Sequence, residues 1–349
     1  MNRISNLIYF NNNRTTPLDE AVKECMSGYS ENDRDREAAS LNASLKLADL
    51  LNADPVELLY TIGTSESIKL FIKAAFEYNK HKGNHIITTS IEHFAVLDSC
   101  KALETSGAEI TYLKVDKEGL IDPDELRTSI KQTTVLVSIM AANNETGVIQ
   151  PLEKISEICE EKNILFFSDA SQFVGKLRCD VKDLGMSALA FGAHKMYGPD
   201  GIGLLYVQEK HKDLLSFIKK NYSPDLNTAQ IAGFGKAAEI SSQNQWDTSA
   251  HISKLKNYFE HQLLDLDGFR INGSTRHRLY NTSNVSFSDG EKMTALKERF
   301  DFADNLTKSS YVLEAMGLSL EEIKNSFRFS FGKYNTLDEV KVLVEEIMR

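Results

Sequence analysis

The alternation of short apolar runs with helical segments limits this chain to few folds. Between about residues 40 and 210, runs typical of buried strands alternate with segments of helical periodicity. Strands separated by helices favour a mostly parallel sheet that is covered on both faces. The C-terminal third instead predicts helices over Lys254–Leu266 and Leu337–Met348 and a few strands. We therefore expect an α/β protein with a large domain over residues 15–235 and a smaller α+β domain formed by residues 1–14 with 236–349.

Charge and cysteine spacing exclude several classes of function. The 349-residue chain has a formal net charge of −10, which argues against a nucleic acid or an anionic membrane as partner. Its N-terminus is too short and polar for a signal peptide, and no run reaches transmembrane length, so we expect a cytosolic protein. The four cysteines, Cys25, Cys100, Cys159 and Cys179, lack metal-ligand spacing, and no nearby histidines complete a zinc set. No metal site is expected.

Polar residues directly follow five of the predicted strands in the large domain. In open α/β sheets, ligands bind outside the carboxyl ends of the strands, so five such segments on one edge predict a cleft. The segments are Gly63-Thr64-Ser65, Glu92-His93, Asn143-Asn144, Asp169 with Gln172, and His194-Lys195.

Asp169 and Lys195 give this cleft a specific chemistry. Asp169 follows the apolar run Ile164–Phe167, and Lys195 follows Ala188–Phe191. An acid and a lysine in these places indicate bound pyridoxal 5'-phosphate (PLP), with the lysine on its aldehyde and the acid beside its pyridine nitrogen. Taken singly, such an Asp is often a helix N-cap and such a Lys is usually solvated, so the prediction depends on the combination.

The other segments have a task in a PLP site and an ordinary alternative. Gly63-Thr64-Ser65 opens a helix, so it can bind a phosphate, although a plain N-cap has the same pattern. His93 can lie over the pyridine ring and move protons, or be a hydrogen-bonded loop histidine. Asn144 and Gln172 can contact the ring hydroxyl, and His194 the phosphate. The alternatives there are a turn asparagine and a surface histidine.

The chain resembles the cysteine desulfurase family, within the class V aminotransferases of PLP fold type I. The resemblance implies a seven-stranded, mostly parallel sheet between helices, an amino-acid substrate, and a homodimer with the active site at its interface. It covers nearly the whole chain in the family's order, and the matching segments are Tyr9–Asn13, Thr15–Pro17, Gly63–Ser67, Glu92-His93, Asn143–Gly147, Asp169–Lys176, His194–Pro199 and Ser326–Ser330.

The resemblance also implies a role for each site residue. Lys195 would hold PLP and move the substrate's α-proton, Asp169 would pair with the pyridine nitrogen, and His93 would stack on the ring. Arg328 would bind the α-carboxylate, for which a guanidinium has a suitable bidentate geometry. The remaining residues expected in the site are Thr64, Ser65 and His194 at the phosphate, Asn144 and Gln172 at the ring, and Asn13 and Arg14 at the substrate.

Three positions depart from the family and bear on function. The nucleophilic cysteine of family desulfurases lies in the loop before the helix that Ser310–Leu313 resembles, and residues 297–306 contain no cysteine. Gly192 stands where the family has Ser or Thr beside the phosphate. Asp225 stands where the partner subunit supplies a hydroxyl. Because a carboxylate repels a phosphate, we expect weaker cofactor binding.

Two N-terminal segments differ as well. Arg14 replaces a small residue near the substrate and can bind a second carboxylate, as in a dicarboxylic or longer amino acid. An arginine directed to solvent, or paired with Asp225, is the alternative. Residues 29–36 lack the family's pattern and are expected to form a solvated loop of mixed charge.

These features favour a PLP enzyme that forms no enzyme persulfide. Lys195, Asp169, His93 and Arg328 suffice for α-proton removal, and β-elimination needs no acceptor cysteine, so a C–S lyase on cysteine, cystine or a conjugate ranks first. Two alternatives stay open: a cysteine desulfurase or aminotransferase with an external acceptor, and a non-catalytic homologue that acts as a binding subunit. The intact catalytic set argues against the last, whereas Gly192 and Asp225 argue for it.

Overall fold

The computed structural model describes residues 7–29 and 33–349. Its strands are β1 Ile8–Tyr9, β2 Leu58–Thr61, β3 His85–Thr89, β4 Glu109–Leu113, β5 Thr134–Ser138, β6 Leu165–Asp169, β7 Ala188–Gly192, β8 Gly203–Val207, β9 Arg270–Ile271, β10 Thr282–Ser286, β11 Phe300–Asp301, β12 Ala303–Asp304 and β13 Ser326–Ser330. Its helices are α1 Glu20–Ser27, α2 Asp33–Leu51, α3 Thr64–Asn79, α4 Phe94–Glu104, α5 Pro123–Ser129, α6 Leu152–Glu161, α7 Val181–Leu184, α8 Lys212–Asn221, α9 Thr228–Leu263, α10 Gly290–Ala295, α11 Tyr311–Ala315, α12 Leu320–Lys324 and α13 Leu337–Met348.

A seven-stranded sheet forms the centre of the larger part of the molecule. Its strand order is β2-β8-β7-β6-β5-β3-β4, and only β8 runs antiparallel to its neighbours. Every residue of β3, β5, β6, β7 and β8 is buried, since helices cover both faces. This burial explains why these strands appear in the sequence as continuous apolar runs rather than as alternating patterns. The predicted α/β fold with a mostly parallel seven-stranded sheet is confirmed.

The smaller part is built on an antiparallel sheet in the order β12-β13-β10-β9. Helix α9 belongs to both parts, because Ile231 and Phe234 pack in the core of the larger part while Ile252 and Phe259 pack in the core of the smaller part. The expected division at residue 235/236 therefore falls within a continuous helix, and it remains a prediction.

The expected loop over residues 29–36 is only partly comparable with the structure. Residues 30–32 lie outside the described residues. Residues 33–36 belong to α2, so the expectation of a loop is wrong there. Helix α2 packs along α9 through Ala39, Ala43 and Leu47, and this tertiary contact decides the conformation of a segment whose own composition is charged.

The ends of the strands place several polar side chains at one edge of the central sheet. Asp169 is the last residue of β6, and Gly192 is the last residue of β7. A short 3₁₀ turn, Ala193–Lys195, follows β7, and two residues separate the end of β2 from the start of α3 at Thr64. Within the two described ranges, each helix is too short or too polar to cross a bilayer.

Candidate active site

A cavity of about 340 Å³ lies at the carboxyl edge of the central sheet. It brings together all eleven residues that the sequence predicted for the site. These are Asn13, Arg14, Thr64, Ser65, His93, Asn144, Asp169, Gln172, His194, Lys195 and Arg328. Residues far apart in the chain thus meet at the place where an open α/β sheet binds its ligands.

Asp169 is buried at the floor of this cavity with one carboxylate oxygen in use. Its Oδ1 accepts hydrogen bonds from the Ser171 backbone N at 2.9 Å and from Ser171 Oγ at 2.5 Å. Among the described residues, no group bonds its other oxygen. An Asp suits this position structurally because its Oδ1 stabilises the local turn at Ser171. Its Oδ2 can pair with a protonated ring nitrogen.

Lys195 lies in the turn after β7, and its amine is held by two carbonyl groups. Nζ donates to the Asn13 carbonyl at 2.5 Å and also to the Arg14 carbonyl. Burial, together with the nearby positive charge of Arg328, lowers the pKa of Lys195 to about 8. A lysine with a lowered pKa has more of its amine in the neutral, nucleophilic form near neutral pH.

Thr64 and His194 form the part of the cavity that suits a phosphate. Thr64 is the first residue of α3, and its Oγ1 is buried without a hydrogen-bond partner. A buried hydroxyl without a partner is costly, and a phosphate oxygen at a helix N-terminus would supply the missing bond. Burial and the adjacent Lys195 lower the pKa of His194 to about 4, so its ring is neutral at pH 7. The residues present therefore fit PLP.

The two substitutions expected to weaken phosphate binding lie in different surroundings. A Cβ added to Gly192 would lie 2.6 Å from Thr64 Oγ1, so the threonine occupies the space that a larger residue at 192 would need. The Asp225 side chain is 95% exposed and lies 3.6 Å from Arg36 within the same chain. Arg14 is exposed at the cavity mouth, and the alternative pairing of Arg14 with Asp225 is not seen among the described contacts.

His93 is fixed by capping the helix that follows it. Its Nδ1 accepts a hydrogen bond from the Ala95 backbone N at 3.1 Å at the start of α4. Because Nδ1 is an acceptor, the proton of the neutral ring lies on Nε2. His93 is thus a hydrogen-bonded loop histidine, as the ordinary alternative supposed, and it also lines the cavity as predicted.

Gln172 is oriented by a buried lysine that we did not predict. Lys176 Nζ donates to Gln172 Oε1 at 2.9 Å, and Gln172 Nε2 donates to the Asn13 carbonyl at 2.9 Å. Burial, with a contribution from the charge of Lys195, lowers the pKa of Lys176 to about 7. Gln172 therefore presents its NH₂ group, a donor, toward the cavity. The only feature of the sequence that could have indicated the bond between Gln172 and Lys176 is their spacing of four residues, which is common.

Arg328 reaches the cavity from the smaller part of the molecule. It lies on β13, where Nη1 donates to the Asn144 carbonyl at 2.9 Å and Nη2 donates to Asn11 Oδ1 at 2.6 Å. Its Nε is buried without a partner. The guanidinium thus retains N–H groups for a carboxylate, as its predicted role requires.

Asn13 is held by protein groups on every side of its amide. Its Nδ2 donates to Thr282 Oγ1 at 2.9 Å and to the Asn144 carbonyl at 3.1 Å, and its Oδ1 accepts from Asn281 Nδ2 at 3.0 Å. Its backbone carbonyl accepts from Lys195. These contacts favour a positioning role for Asn13 over the predicted direct contact with substrate.

Glu92, which the sequence marked only as a polar neighbour of His93, is fully buried. Its Oε1 accepts from Thr89 Oγ1 at 2.9 Å and from the Met140 backbone N at 2.8 Å, so it ties the loop after β3 to the loop after β5. Burial raises the pKa of Glu92 to about 8. The carboxyl group is protonated at neutral pH and holds together the two loops that carry His93 and Asn144.

Comparison with known proteins agrees with this geometry. The family model for class V aminotransferases matches residues 8–221 and 224–343. The cysteine desulfurase IscS of Colwellia psychrerythraea is 38% identical over 370 residues, which cover 97% of this chain and 91% of that protein. This chain is a cysteine desulfurase-like class V aminotransferase. PLP is accordingly its cofactor, as the sequence predicted.

Two solved structures and a second relative extend the comparison. The structure of a NifS-like protein has a TM-score of 0.88 and 31% identity, and the match covers 98% of this chain and 99% of that one. A structure described as SspA in complex with cysteine has a TM-score of 0.82 and 31% identity, and the match covers 94% and 100%. IscS of Mannheimia succiniciproducens is 38% identical over 368 residues, covering 97% and 91%. Both IscS alignments are longer than this 349-residue chain, so the chain lacks residues that those relatives have.

Proposed function

We propose that this protein is a PLP-dependent C–S lyase that releases sulfur from a sulfur-containing amino acid by β-elimination, without an enzyme persulfide. One observation carries the proposal: among the described residues, no cysteine lines the active-site cavity, although the groups needed for α-proton removal do. Cys100, Cys159 and Cys179 are buried elsewhere, and burial raises the pKa of each thiol to about 12. A thiol with such a pKa is a poor nucleophile.

The residues of the cavity divide into cofactor and substrate groups. Thr64, Ser65 and His194 would hold the phosphate, and Asp169 the pyridine nitrogen. Asn144 and Gln172 would contact the ring oxygen, with His93 over the ring face. When bound, PLP supplies an electron sink for the negative charge that develops at the substrate Cα.

The proposed reaction uses two groups of the chain on the substrate itself. Arg328 binds the α-carboxylate and Lys195 removes the α-proton. The Cβ–S bond then breaks, and the sulfur leaves with its bonding electrons and takes up the proton that Lys195 removed from Cα. His93 can donate a hydrogen bond to the departing sulfur from its Nε2–H. With water, cysteine is thereby converted into pyruvate, ammonia and hydrogen sulfide.

Product analysis tests the proposal directly. Wild-type protein loaded with PLP is mixed with L-cysteine or L-cystine, and pyruvate, ammonia, alanine and sulfide are measured. We expect pyruvate in amounts equal to the ammonia released, and none from Lys195→Ala. Lys324→Ala, a substitution of an exposed lysine on α12, serves as control. Absence of pyruvate with every sulfur amino acid would refute the lyase proposal.

A cysteine desulfurase with an external acceptor is the second candidate, because the curated relatives carry that name. In that reaction the sulfur is transferred to a thiol as a persulfide and the substrate leaves as alanine. Alanine formation that depends on added dithiothreitol would identify it. A non-catalytic subunit would form neither product, and visible absorbance of protein-bound PLP that L-cysteine does not change would support that reading.

We also propose a homodimer in the cytosol, as is expected for the family. The support is an apolar surface on α2, where Leu41 is 63% exposed and Leu45 is 52% exposed one helical turn later. Exposed apolar patches of this kind commonly mark interfaces.

A further inference from the structure

A second cavity of about 180 Å³ adjoins the active site. Asn144 and Arg328 line both cavities. Consecutive residues also line the two spaces, since His93 lies in the first cavity and Phe94 in the second, and Glu145, which follows Asn144, lines the second. A molecule whose carboxylate lies at Arg328 thus has room to extend into this second space.

The outer wall of the second cavity is the segment 304–311, in the region where the family's cysteine loop would lie. This segment is fixed at both ends. Asn305 Nδ2 donates to the carbonyls of Ile323 at 3.2 Å and Ser326 at 3.0 Å. The Tyr311 hydroxyl donates to the Glu92 carbonyl, and the Tyr311 ring contacts Phe94 with centroids 4.8 Å apart. The segment is held against the molecule, and the space beside it is left open.

The charges that line this cavity favour an anion. Lys308 Nζ lies 3.8 Å from the centre of the Phe94 ring and forms no ion pair with a carboxylate among the described residues. Arg328 supplies a second cation. Of the two lining acids, Asp304 is already paired with Lys297. Glu145 accepts a hydrogen bond from Ser310; burial raises its pKa, and the charges of Arg328 and Lys308 act against that rise. One acid thus faces two cations, and no carboxylate of the described residues pairs directly with Lys308.

We propose that this second cavity binds the group attached to the substrate's sulfur, and that Lys308 selects a substituent that carries a carboxylate. The inference rests on the proposed amino-acid function, since it assumes that Arg328 binds the α-carboxylate. The substrate class is then an S-substituted cysteine whose substituent ends in an anionic group, rather than free cysteine alone.

A matched pair of thioethers tests this inference with turnover blocked. Borohydride first fixes PLP covalently on Lys195, so that no reaction with the amino group of the ligand can follow. S-carboxymethyl-L-cysteine and S-methyl-L-cysteine differ by one carboxylate, and their affinities for this protein are measured by calorimetry. We expect the carboxymethyl compound to bind about tenfold more tightly, as one charge-assisted contact provides. Lys308→Met should bring the two affinities within about twofold of each other, whereas Lys324→Met should preserve the difference.

Two outcomes would overturn the inference: equal affinities in the wild type, or a preference that survives in Lys308→Met. The result is independent of the lyase reaction. A carboxylate preference that depends on Lys308, in a protein that releases no pyruvate, would refute the lyase proposal and support the second cavity as a binding site.

Discussion

At the scale of single residues, the Asn13 carbonyl links the catalytic lysine to a buried network. It accepts hydrogen bonds from Lys195 Nζ and from Gln172 Nε2, and Lys176 in turn fixes the Gln172 amide. The sequence predicted most residues that line the cavity because they follow predicted strands, and it placed Asn13, Arg14 and Arg328 there through the family resemblance. It did not predict this network, since the bond between Gln172 and Asn13 joins residues 159 apart, and the spacing of four residues between Gln172 and Lys176 is too common to indicate a bond.

Removal of the Lys176 charge should change how stability depends on pH. In the folded protein the pKa of Lys176 is about 7, below its ordinary value of 10.5, so the unfolded chain binds more protons between these values. Stability contributed through this group therefore rises with pH above about 7, by at most about 1.4 kcal/mol per pH unit. We expect Lys176→Met, in protein freed of PLP, to show a smaller gain in unfolding free energy from pH 7 to pH 9 than the wild type.

Denaturant unfolding at the two pH values measures this difference. Lys324→Met is the control, because that lysine is exposed and its substitution should leave the wild-type pH dependence intact. An unchanged pH dependence in Lys176→Met would contradict the inferred pKa.

Restoring the family's hydroxyl at position 192 should weaken cofactor binding. Because Thr64 Oγ1 would lie 2.6 Å from the new Cβ, Gly192→Ser displaces the threonine hydroxyl from the phosphate region. Overpacking of this kind costs about 1–3 kcal/mol. We expect a clear rise in the Kd for PLP. A titration monitored by the visible absorbance of bound PLP measures it. Combining Gly192→Ser with Thr64→Ala should restore much of the affinity, and tighter binding by Gly192→Ser alone would contradict the assignment of Thr64.

At the scale of elements, the bounds of a helix were predicted well where it contains no glycine and poorly where glycines interrupt its pattern. The helix predicted over Leu337–Met348 has those bounds, since its capping and apolar spacing are local signals. The helix predicted over Lys254–Leu266 overlaps the end of the much longer α9, which stops at Leu263. Gly233 and Gly235 obscured its first part, because glycine lowers helix propensity. The structure explains why glycine occupies position 235 in this helix: a Cβ there would lie 2.5 Å from the Ala43 Cα on α2.

Gly235→Ala should therefore destabilise the protein despite the better helix propensity of alanine. The new methyl group meets backbone rather than a flexible side chain, so α2 and α9 must separate, at a cost of about 1–3 kcal/mol. Thermal unfolding measures the loss. Gly28→Ala is a matched control, because its Cβ would have only an ordinary contact, 3.5 Å from the Cys25 carbonyl oxygen. Equal stability of the two variants would show that α2 and α9 do not pack as closely as described.

At the scale of the whole molecule, the active site is assembled from both parts. Asp169 and Lys195 come from the central sheet, whereas Arg328 comes from the small antiparallel sheet. Strand-end patterns predicted the first group from local sequence alone. Arg328 was placed in the site only by its resemblance to a family motif, since no local pattern indicates which edge of a second sheet faces the first.

The exposed leucines of α2 provide a test of the proposed dimer. If Leu41 and Leu45 lie in a subunit interface, the double substitution Leu41→Asp with Leu45→Asp buries two charges there and should convert dimer to monomer. Sedimentation of the wild type and the variant measures this. Leu320→Asp, at a leucine 72% exposed on α12, should remain dimeric. A monomeric wild type would refute the dimer.

Helix α9 has a consequence for how the molecule comes apart. Its 36 residues extend for about 54 Å, and no break separates the turns that support one sheet from those that support the other. Unfolding of either half therefore removes helix contacts that stabilise the other half. Differential scanning calorimetry should accordingly record one heat-absorption peak, with calorimetric and van't Hoff enthalpies in agreement. Two resolved peaks would mean that the two halves of the protein lose their order independently.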